Sequence, residues 1–261
     1  MQPFADGIKL IFKESIIPTQ SNNWLFILAP FLTFYLALLN WLVLPLDLGI
    51  SLSELYGGGI LIILAISELG IYGIIYSGWS SNSAYSFIGS LRSTAQMISY
   101  SISLSLIILT VIFSLGTINL LEITLAQKPI SLIYALFPIA FLFFISALAE
   151  TNRAPMDLPE AESELVAGFL TEYSAVTFAY FFLGEYTNMI TISALFIILF
   201  LGSPINIYII PLLFGLIWVR ATLARLRFDQ LMTLGWSYIL PFTIAYIMFL
   251  PPFLFTFDIL A

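Results

Sequence analysis

The 261-residue sequence contains no cysteine and no histidine. Those two side chains supply nearly all the protein ligands of haem, copper, zinc and iron-sulfur clusters. We therefore expect this chain to bind no redox metal of its own. The lack of cysteine also excludes disulfide bonds and a thiol nucleophile, and it leaves the redox compartment open.

Charged residues are scarce as well, at 9% of the sequence against 61% hydrophobic residues. These values lie far outside the range of soluble globular domains and indicate an integral membrane protein. The formal net charge of −7 comes from a few residues crowded into loops, so nucleic acid is not expected as a partner. The N-terminal stretch MQPFADGIKLIFKE lacks a continuous apolar run with a small-residue cleavage site, so we expect no signal peptide.

Long apolar runs, by contrast, fill the chain. Because about 20 apolar residues span a bilayer, seven stretches are predicted to be transmembrane helices: 24–44, 57–77, 98–120, 130–149, 174–201, 204–219 and 237–257. The sixth is short and contains Pro211. No repeat or linker divides residues 1–261, so we predict one membrane domain, an all-α, polytopic transmembrane helix bundle with about seven spans within residues 24–257.

Residues 1–23 have a different pattern, in which apolar and charged residues mix at roughly helical spacing. The apolar members are Phe4, Ile8, Leu10, Ile11 and Phe12. This pattern predicts an N-terminal amphipathic helix that lies at the membrane interface.

The basic residues test the predicted topology, because seven spans place alternate loops on opposite sides of the membrane. One side receives seven of them: Lys9, Lys13, Arg92, Arg153, Arg220, Arg225 and Arg227. Only Lys128 falls on the other side. By the positive-inside rule, the basic loops face the side of synthesis, which is the mitochondrial matrix or the bacterial cytoplasm.

Acidic residues concentrate in a predicted loop, residues 150–173, most of which belongs to the stretch AETNRAPMDLPEAESELVAGF. Five of the fifteen acidic residues lie between positions 150 and 164: Glu150, Asp157, Glu160, Glu162 and Glu164. A capping box between Asp157 and Glu160 predicts a helix that begins near Leu158. Helical spacing places Asp157, Glu160, Glu164 and Glu172 on one face. Ordinary helix-start acids on a solvated loop remain the alternative.

Two further carboxylates fall inside predicted spans, Glu68 in the second and Glu185 in the fifth. An ionised side chain there costs at least about 2.5 to 3.5 kcal/mol on insertion scales, so such residues usually line a hydrated path or titrate. With the loop acids they suggest a proton relay. Neutral glutamates that only hold helices together are the other possibility.

Two loops on the basic side combine arginine with aromatic residues. One contains Trp79 and Arg92, and the other contains Arg220, Arg225, Arg227 and Phe228. This mixture suits a pocket for an amphipathic ligand with a polar head and a lipid tail. Simple anchoring of the loops at the membrane surface would give the same residues.

Four motifs occur in the order of a known family: QPFADGIKLIFKE, SGWSSNSAYSFIGSLRSTAQMISY, AETNRAPMDLPEAESELVAGF with TEYSAVTFAYFFLGEYTNM, and RLRFDQLM. They resemble membrane subunit 1 of respiratory complex I, the proton-pumping NADH:quinone oxidoreductase, over nearly the whole chain. The resemblance implies a subunit that forms the quinone tunnel and begins the proton path. Such a subunit would act only within the complex, in the mitochondrial inner membrane or a bacterial inner membrane. The resemblance further implies that ubiquinone is the substrate and that NADH, FMN and the iron-sulfur clusters bind partner subunits, one of which carries the terminal cluster.

The resemblance also implies roles for individual residues. Glu150, Asp157, Glu160, Glu162 and Glu164 would form the acidic loop beside the quinone cavity, and Glu172 and Glu185 would continue the proton path. Arg153 would organise the loop. The quinone chamber would be shaped by the aromatic residues Phe4, Trp79, Tyr186 and Phe228, and by Arg92, Arg153, Arg220, Arg225 and Arg227.

The sequence departs from the family pattern in two places. The family begins with another transmembrane helix before QPFAD, so we expect either a truncated sequence or a separate polypeptide that supplies this helix. The family also has glutamate after ISY, where this chain has Ser101. Glu68 is a candidate replacement, although the predicted spans place it about 10 Å deeper than Ser101.

Two other classes of function stay open on the residues alone. A secondary proton or cation transporter would use Glu68 and Glu185 to bind the coupling ion, but the inverted repeats common in transporters are not seen. A purely structural membrane scaffold would leave the intramembrane acids without a role.

Overall fold

The computed structural model describes residues 2–45, 57–157, 168–202 and 205–256. Within these ranges every regular element is helical. The helices, in chain order, are α1 Gln2–Phe12, α2 Asn23–Val43, α3 Gly59–Ser80, α4 Ala84–Leu115, α5 Leu120–Ala126, α6 Leu132–Ala135, α7 Phe137–Glu150, a 3₁₀ turn Gly168–Leu170, α8 Ala175–Phe196 with a π-helical turn Ile197–Leu201, α9 Ile205–Thr222, α10 Phe228–Thr233 with a π-helical turn Leu234–Ile239, and α11 Leu240–Thr256.

Five helical segments are long and apolar enough to cross a membrane: Asn23–Val43, Gly59–Ser80, Ala84–Leu115, Ala175–Leu201 and Phe228–Phe253. Two shorter apolar helices, Phe137–Glu150 and Tyr208–Thr222, correspond to the fourth and sixth predicted spans. The prediction of an all-α, polytopic bundle is therefore confirmed. The amphipathic helix at the N-terminus is present as α1, with Phe4, Ile8 and Phe12 exposed.

Three predicted boundaries are wrong. Helix α4 begins at Ala84 rather than at residue 98. Its early serines are accommodated within the helix because their hydroxyl groups donate to carbonyls three residues back, as Ser90 does to Phe87 at 2.9 Å. The fourth span is shorter, because α7 begins with a proline in its first turn, where the missing N–H costs least. The last helical segment begins at Phe228 rather than at residue 237.

Helices α2 and α8 run parallel and pack against each other. Near their starts, Phe26 stacks on Tyr173 with ring centroids 4.1 Å apart, and further along Phe34 stacks on Tyr180 at 5.6 Å. The backbones approach closely at Gly184, where a Cβ atom would lie 3.6 Å from the backbone of Phe34. These contacts fix Glu185, the next residue, at the level of Phe34 on α2.

A second close approach joins α4 to the turn that follows the acidic loop. A Cβ atom at Gly89 would lie 2.7 Å from the Cα atom of Gly168 and 3.0 Å from the nitrogen of Phe169. Backbone atoms cannot give way as a flexible side chain can, so only glycine fits at this position. Gly89 therefore holds the end of the acidic loop against α4.

Replacing Gly89 with alanine is expected to destabilise the protein by about 1 to 3 kcal/mol, the usual cost of forcing extra volume into a packed interior. The measurement is the thermal inactivation temperature of the assembled complex. Gly215→Ala is the matched control, since a Cβ atom at that helical glycine meets nothing within 4 Å. Equal inactivation temperatures for the two variants would contradict the packing described here.

The π-helical turn Ile197–Leu201 is held by a buried side chain from the connection between α5 and α6. Gln127 Nε2 donates to the carbonyl oxygens of Ile198 at 3.1 Å and Leu199 at 2.9 Å. Its Oε1 accepts from the backbone N–H of Leu132 at 3.4 Å. Gln127 thus satisfies carbonyl groups that the irregular turn exposes, and it ties α6 to the end of α8.

Candidate functional site

An internal cavity lies among α2, α3, α4, α7 and α8, and it reaches the first residues of the acidic loop. Most of its lining is apolar. The polar residues on its wall include Asn40, Ser67, Glu150, Asn152, Glu185 and Thr191. Two of the predicted relay acids, Glu150 and Glu185, therefore face one shared space.

The beginning of the acidic loop is folded back against α4 by one side chain. Gln96 is fully buried, and its Nε2 donates to the carbonyl oxygens of Ala149 and Met156, each at 2.8 Å. These two bonds span the segment 149–156 and leave little freedom for the residues between them. Gln96 therefore sets the position of Glu150 and Arg153.

Arg153 leaves this segment and reaches α8. Its side chain is only 6% exposed, and its Nη2 lies 3.3 Å from Glu185 Oε2. The guanidinium carbon also lies 4.3 Å from the centroid of the Tyr186 ring, a cation–π distance. Because Nε and Nη2 of Arg153 lack hydrogen-bond geometry to any described partner, the contact with Glu185 is an ion pair held by charge. It joins the acidic loop directly to an acid inside the membrane.

Glu150, at the end of α7, is buried beside this pair. Its Oε2 has no hydrogen-bond partner among the described residues. The charges of Glu68 and Glu150 are close enough to interact, although Glu68 itself is exposed on α3. The cluster thus combines carboxylates on three helices with one buried arginine, Arg153.

The predicted depth of Glu68 relative to Ser101 is wrong. A Cβ atom at Gly78 would meet Ser86 and Ser90, which places Gly78 level with residues near 88 across the α3–α4 hairpin. Counting ten residues back along α3 and ten forward along α4 puts Glu68 level with residue 98. Ser101 is then about 4.5 Å deeper than Glu68, at 1.5 Å per residue. The prediction failed because it began α4 fourteen residues too late.

Two basic residues of the predicted quinone chamber lie near the end of the described loop. Arg225 Nη2 is 3.5 Å from Oδ2 of the buried Asp157. The guanidinium of Arg92 lies over the ring of Phe228, 5.9 Å from its centroid. The backbone N–H of Leu226 also donates to the carbonyl of Pro155 at 2.9 Å. The RLRFDQLM segment is therefore packed against the beginning of the acidic loop.

Other predicted chamber residues lie elsewhere. Phe4 is exposed on α1, and Arg220 and Arg227 are exposed as well. Trp79 borders a separate polar cleft near Gln20 and Asn82. In the described chain these residues do not line the cavity that contains Glu150 and Glu185.

Glu172 is not on a helical face shared with Asp157. It lies in a turn after the 3₁₀ turn Gly168–Leu170, and Gly168 has a positive φ of 54° that interrupts any continuous α-helix. The neighbouring Tyr173 is buried, and burial raises its pKa to about 12. The predicted row of acids is therefore broken before Glu172.

Glu160, Glu162 and Glu164 lie outside the described residues, as does the helix predicted to begin near Leu158. Three residues that the sequence did not single out do belong to the site: Gln96, Asn40 and Asn152. Asn40 could have been recognised from the sequence, since it is an amide near the end of a 21-residue apolar helix. Gln96 could not, because its partners are backbone carbonyls more than fifty residues away.

An all-helical, polytopic membrane protein with buried carboxylates around an internal cavity is the class that this fold and site define. The model of the NADH dehydrogenase family matches residues 1–251, and the chain belongs to that family. It is 58% identical to the "NADH-ubiquinone oxidoreductase chain 1" of Hyaloraphidium curvatum, over 99% of this chain and 86% of that protein. The protein of the same name from Chondrus crispus is 51% identical, over 99% of this chain and 84% of its own length. A bacterial relative, a subunit of the NADH-quinone oxidoreductase of Rickettsia prowazekii, is 52% identical over 94% of this chain and 77% of its own length. The resemblance to membrane subunit 1 of respiratory complex I is confirmed.

Proposed function

We propose that this chain is a core membrane subunit of a proton-translocating NADH:quinone oxidoreductase, in which it forms part of the quinone tunnel and couples quinone reduction to proton movement. The names of its relatives support the assignment to that enzyme. The observation that carries the coupling role is the buried contact between Arg153 of the acidic loop and Glu185 of α8.

The chemistry of the reaction explains why such a contact is useful. Reducing a quinone to a quinol takes two electrons and two protons, so charge and proton demand change together beside the acidic loop. Carboxylates that share one site influence one another's protonation. A change in the charge of Asp157 or Glu150 therefore alters the electrostatic interaction of each with Arg153. Through Arg153 it also alters the interaction with Glu185 inside the membrane.

The ion pair gives this coupling two distinct states. While Arg153 pairs with Glu185, the guanidinium compensates the charge of the carboxylate. When the loop draws Arg153 away, Glu185 loses its buried counter-ion and takes up a proton from the cavity. Movement of one arginine thereby converts an event at the quinone into proton uptake by an intramembrane acid.

The remaining predicted residues take supporting roles in this proposal. Glu160, Glu162 and Glu164 extend the acidic surface beside the quinone, and Glu172 stands at its membrane end. Glu68 adds a carboxylate close to Glu150 at a level where Ser101 provides none. The aromatic and basic residues around Phe228, Arg92 and Arg225 form the wall nearest the quinone headgroup, while Phe4, Trp79, Arg220 and Arg227 shape the outer approach.

The proposed role implies a substrate, partner subunits and a membrane for this chain. It binds ubiquinone as substrate, whereas NADH, FMN and the iron-sulfur clusters belong to partner subunits, including the hydrophilic subunit that carries the terminal cluster. Other membrane subunits and lipid cover its outer faces. We place it in the mitochondrial inner membrane, with the basic loops on the matrix side; a bacterial inner membrane would orient it in the same way.

Replacing Glu150 with glutamine tests the proposal, because the substitution keeps the shape of the side chain and removes its titration. We expect quinone reduction and proton pumping in the assembled complex to fall together by about a hundredfold, the lower end of the range for losing a positioned proton-transfer group. Glu122→Gln is the matched control on α5, since Glu122 is exposed and is not on the cavity wall. Normal quinone reduction with normal pumping in the Glu150 variant would refute the coupling role.

A further inference from the structure

Arg153 contacts two neighbouring side chains of α8, and only one of them is an acid. Its Nη2 lies 3.3 Å from Glu185 Oε2, and its guanidinium carbon lies 4.3 Å from the centroid of the Tyr186 ring. Consecutive residues of a helix point about 100° apart, because 3.6 residues complete a turn. The guanidinium therefore lies between two side chains that leave α8 in different directions, and it contacts both.

The ion pair by itself holds the guanidinium incompletely. Nε and Nη2 of Arg153 have no hydrogen-bond partner among the described residues, although the side chain is only 6% exposed. A buried cation without these hydrogen bonds has lost the hydration of its N–H groups and gained nothing in return. The Tyr186 ring offsets part of this cost, because the negative face of an aromatic ring attracts a cation most strongly where water is excluded.

The two contacts of Arg153 respond differently to a proton. The attraction of Glu185 depends on the charge of its carboxylate and is lost when that group is neutral. The attraction of the Tyr186 ring does not depend on that charge, because the quadrupole of an aromatic ring is permanent. A planar guanidinium also stacks on an aromatic face, which a lysine ammonium cannot do. Tyr186 therefore offers Arg153 a binding contact on α8 in both protonation states of Glu185.

We propose that Tyr186 is a positioning residue that binds the guanidinium of Arg153 on α8 even while Glu185 is neutral, so that the arginine is back in place before the ion pair re-forms. The contact itself stands on the distance and the burial of Arg153. Its part in coupling rests on the proposed function, in which Arg153 and Glu185 separate and pair again.

Chemical modification of arginine in the assembled complex tests the contact without enzyme turnover. Phenylglyoxal reacts with guanidinium groups that leave their contacts, and mass spectrometry gives the rate at each arginine. Arg220 is exposed and serves as the internal standard. We expect Arg153 to react at least about tenfold more slowly than Arg220 in the unmodified complex, because it reacts only during local opening. Equal rates at the two arginines would overturn the proposal without any variant.

Substitutions of Tyr186 separate the cation–π contact from simple packing. Tyr186→Leu removes the aromatic face, and we expect the rate at Arg153 to rise about tenfold. Tyr186→Trp enlarges the side chain but supplies the ring that binds cations best, so the rate should be no higher than in the unmodified complex. Tyr208→Leu is the matched control, since Tyr208 on α9 is also 44% exposed. An unchanged rate in Tyr186→Leu, or a raised rate in Tyr186→Trp, would overturn the proposal, and the tryptophan variant suffices if the leucine complex does not assemble.

Neutralising Glu185 tests whether the ring acts without the carboxylate charge. In Glu185→Gln, we expect Arg153 to keep most of its protection from phenylglyoxal. In Glu185→Gln with Tyr186→Leu, the charge and the ring are both gone, and the rate at Arg153 should approach that of Arg220. Loss of all protection in Glu185→Gln alone would show that the ring does not bind the guanidinium. Protection that persists in the double variant would contradict the proposal as well.

The part of this contact in coupling has its own measurement, the number of protons pumped per electron. We expect this ratio to fall in Tyr186→Leu and to be retained in Tyr186→Trp. An unchanged ratio in a Tyr186→Leu complex whose Arg153 has become reactive would overturn the part of the contact in coupling. Failure of the coupling role itself is detected separately, by Glu150→Gln, so the two results are distinguishable.

Discussion

Arg153→Met is expected to lower the amount of assembled complex more than any other substitution considered for this chain. The change removes the cation that lies 3.3 Å from Glu185 and leaves that carboxylate mostly buried in a largely apolar interior. Breaking one side of a buried ion pair typically costs about 3 to 5 kcal/mol, because the remaining charge is uncompensated. The loop also loses its contact with the Tyr186 ring. The measurement is the yield and thermal stability of the complex on native gels.

A double-mutant cycle separates the pair from its individual members. In Arg153→Met with Glu185→Leu, both charges are gone, and we expect assembly to recover while proton pumping stays lost. Arg220→Met serves as the control for removing an arginine, since Arg220 is exposed. Assembly of Arg153→Met at the unmodified level would show that the pair does not hold the loop.

Gln96→Leu is expected to release the start of the acidic loop. The leucine side chain cannot donate to the carbonyl oxygens of Ala149 and Met156, and both lose a 2.8 Å hydrogen bond. The carbonyl oxygen of Ala149 still accepts from the backbone N–H of Asn152 at 3.3 Å. The carbonyl of Met156 is left as a buried acceptor without the Gln96 amide, which costs about 1 to 3 kcal/mol. We expect residues 149–157 to become open to proteolysis and the thermal stability to fall.

A second substitution distinguishes lost hydrogen bonding from changed shape. Gln96→Glu keeps the size of the side chain but places carboxyl oxygens against two carbonyl oxygens, so we expect it to be at least as disruptive as leucine. Gln20→Leu is the control, because Gln20 is exposed. If Gln96→Glu preserved the protection of residues 149–157, the donor role of Gln96 would be contradicted.

The transmembrane helices could be predicted from the sequence because a bilayer imposes a length and an apolar composition on each span. The boundaries that failed are those where polar residues continue a helix. Serines such as Ser90 look like loop residues by composition, but their hydroxyl groups bond to the preceding turn. A hydropathy pattern contains no information about such bonds, so it started the helix too late.

The residue types of the site could be predicted from the sequence, but the contacts between those residues could not. A carboxylate inside an apolar span pointed to Glu185, and the charge cluster pointed to the loop that contains Arg153. Their contact joins residues 32 positions apart through a loop whose path depends on Gln96. Such a contact follows from tertiary packing and leaves no periodic signal in the sequence. The same limitation explains why Trp79 was grouped with the chamber but lies beside a different cleft.

The bonds of Gln127 also bear on how the chain is made. Its side chain bonds to carbonyl groups that follow it by 71 and 72 residues. Chains fold from the N-terminus as they are synthesised. The amide of Gln127 therefore stays hydrated at the membrane surface until the end of α8 has been inserted and its hydrogen bonds can form. The connection between the third and fourth spans is therefore completed by the fifth, and the far side of the bundle closes only after most of the protein has left the ribosome.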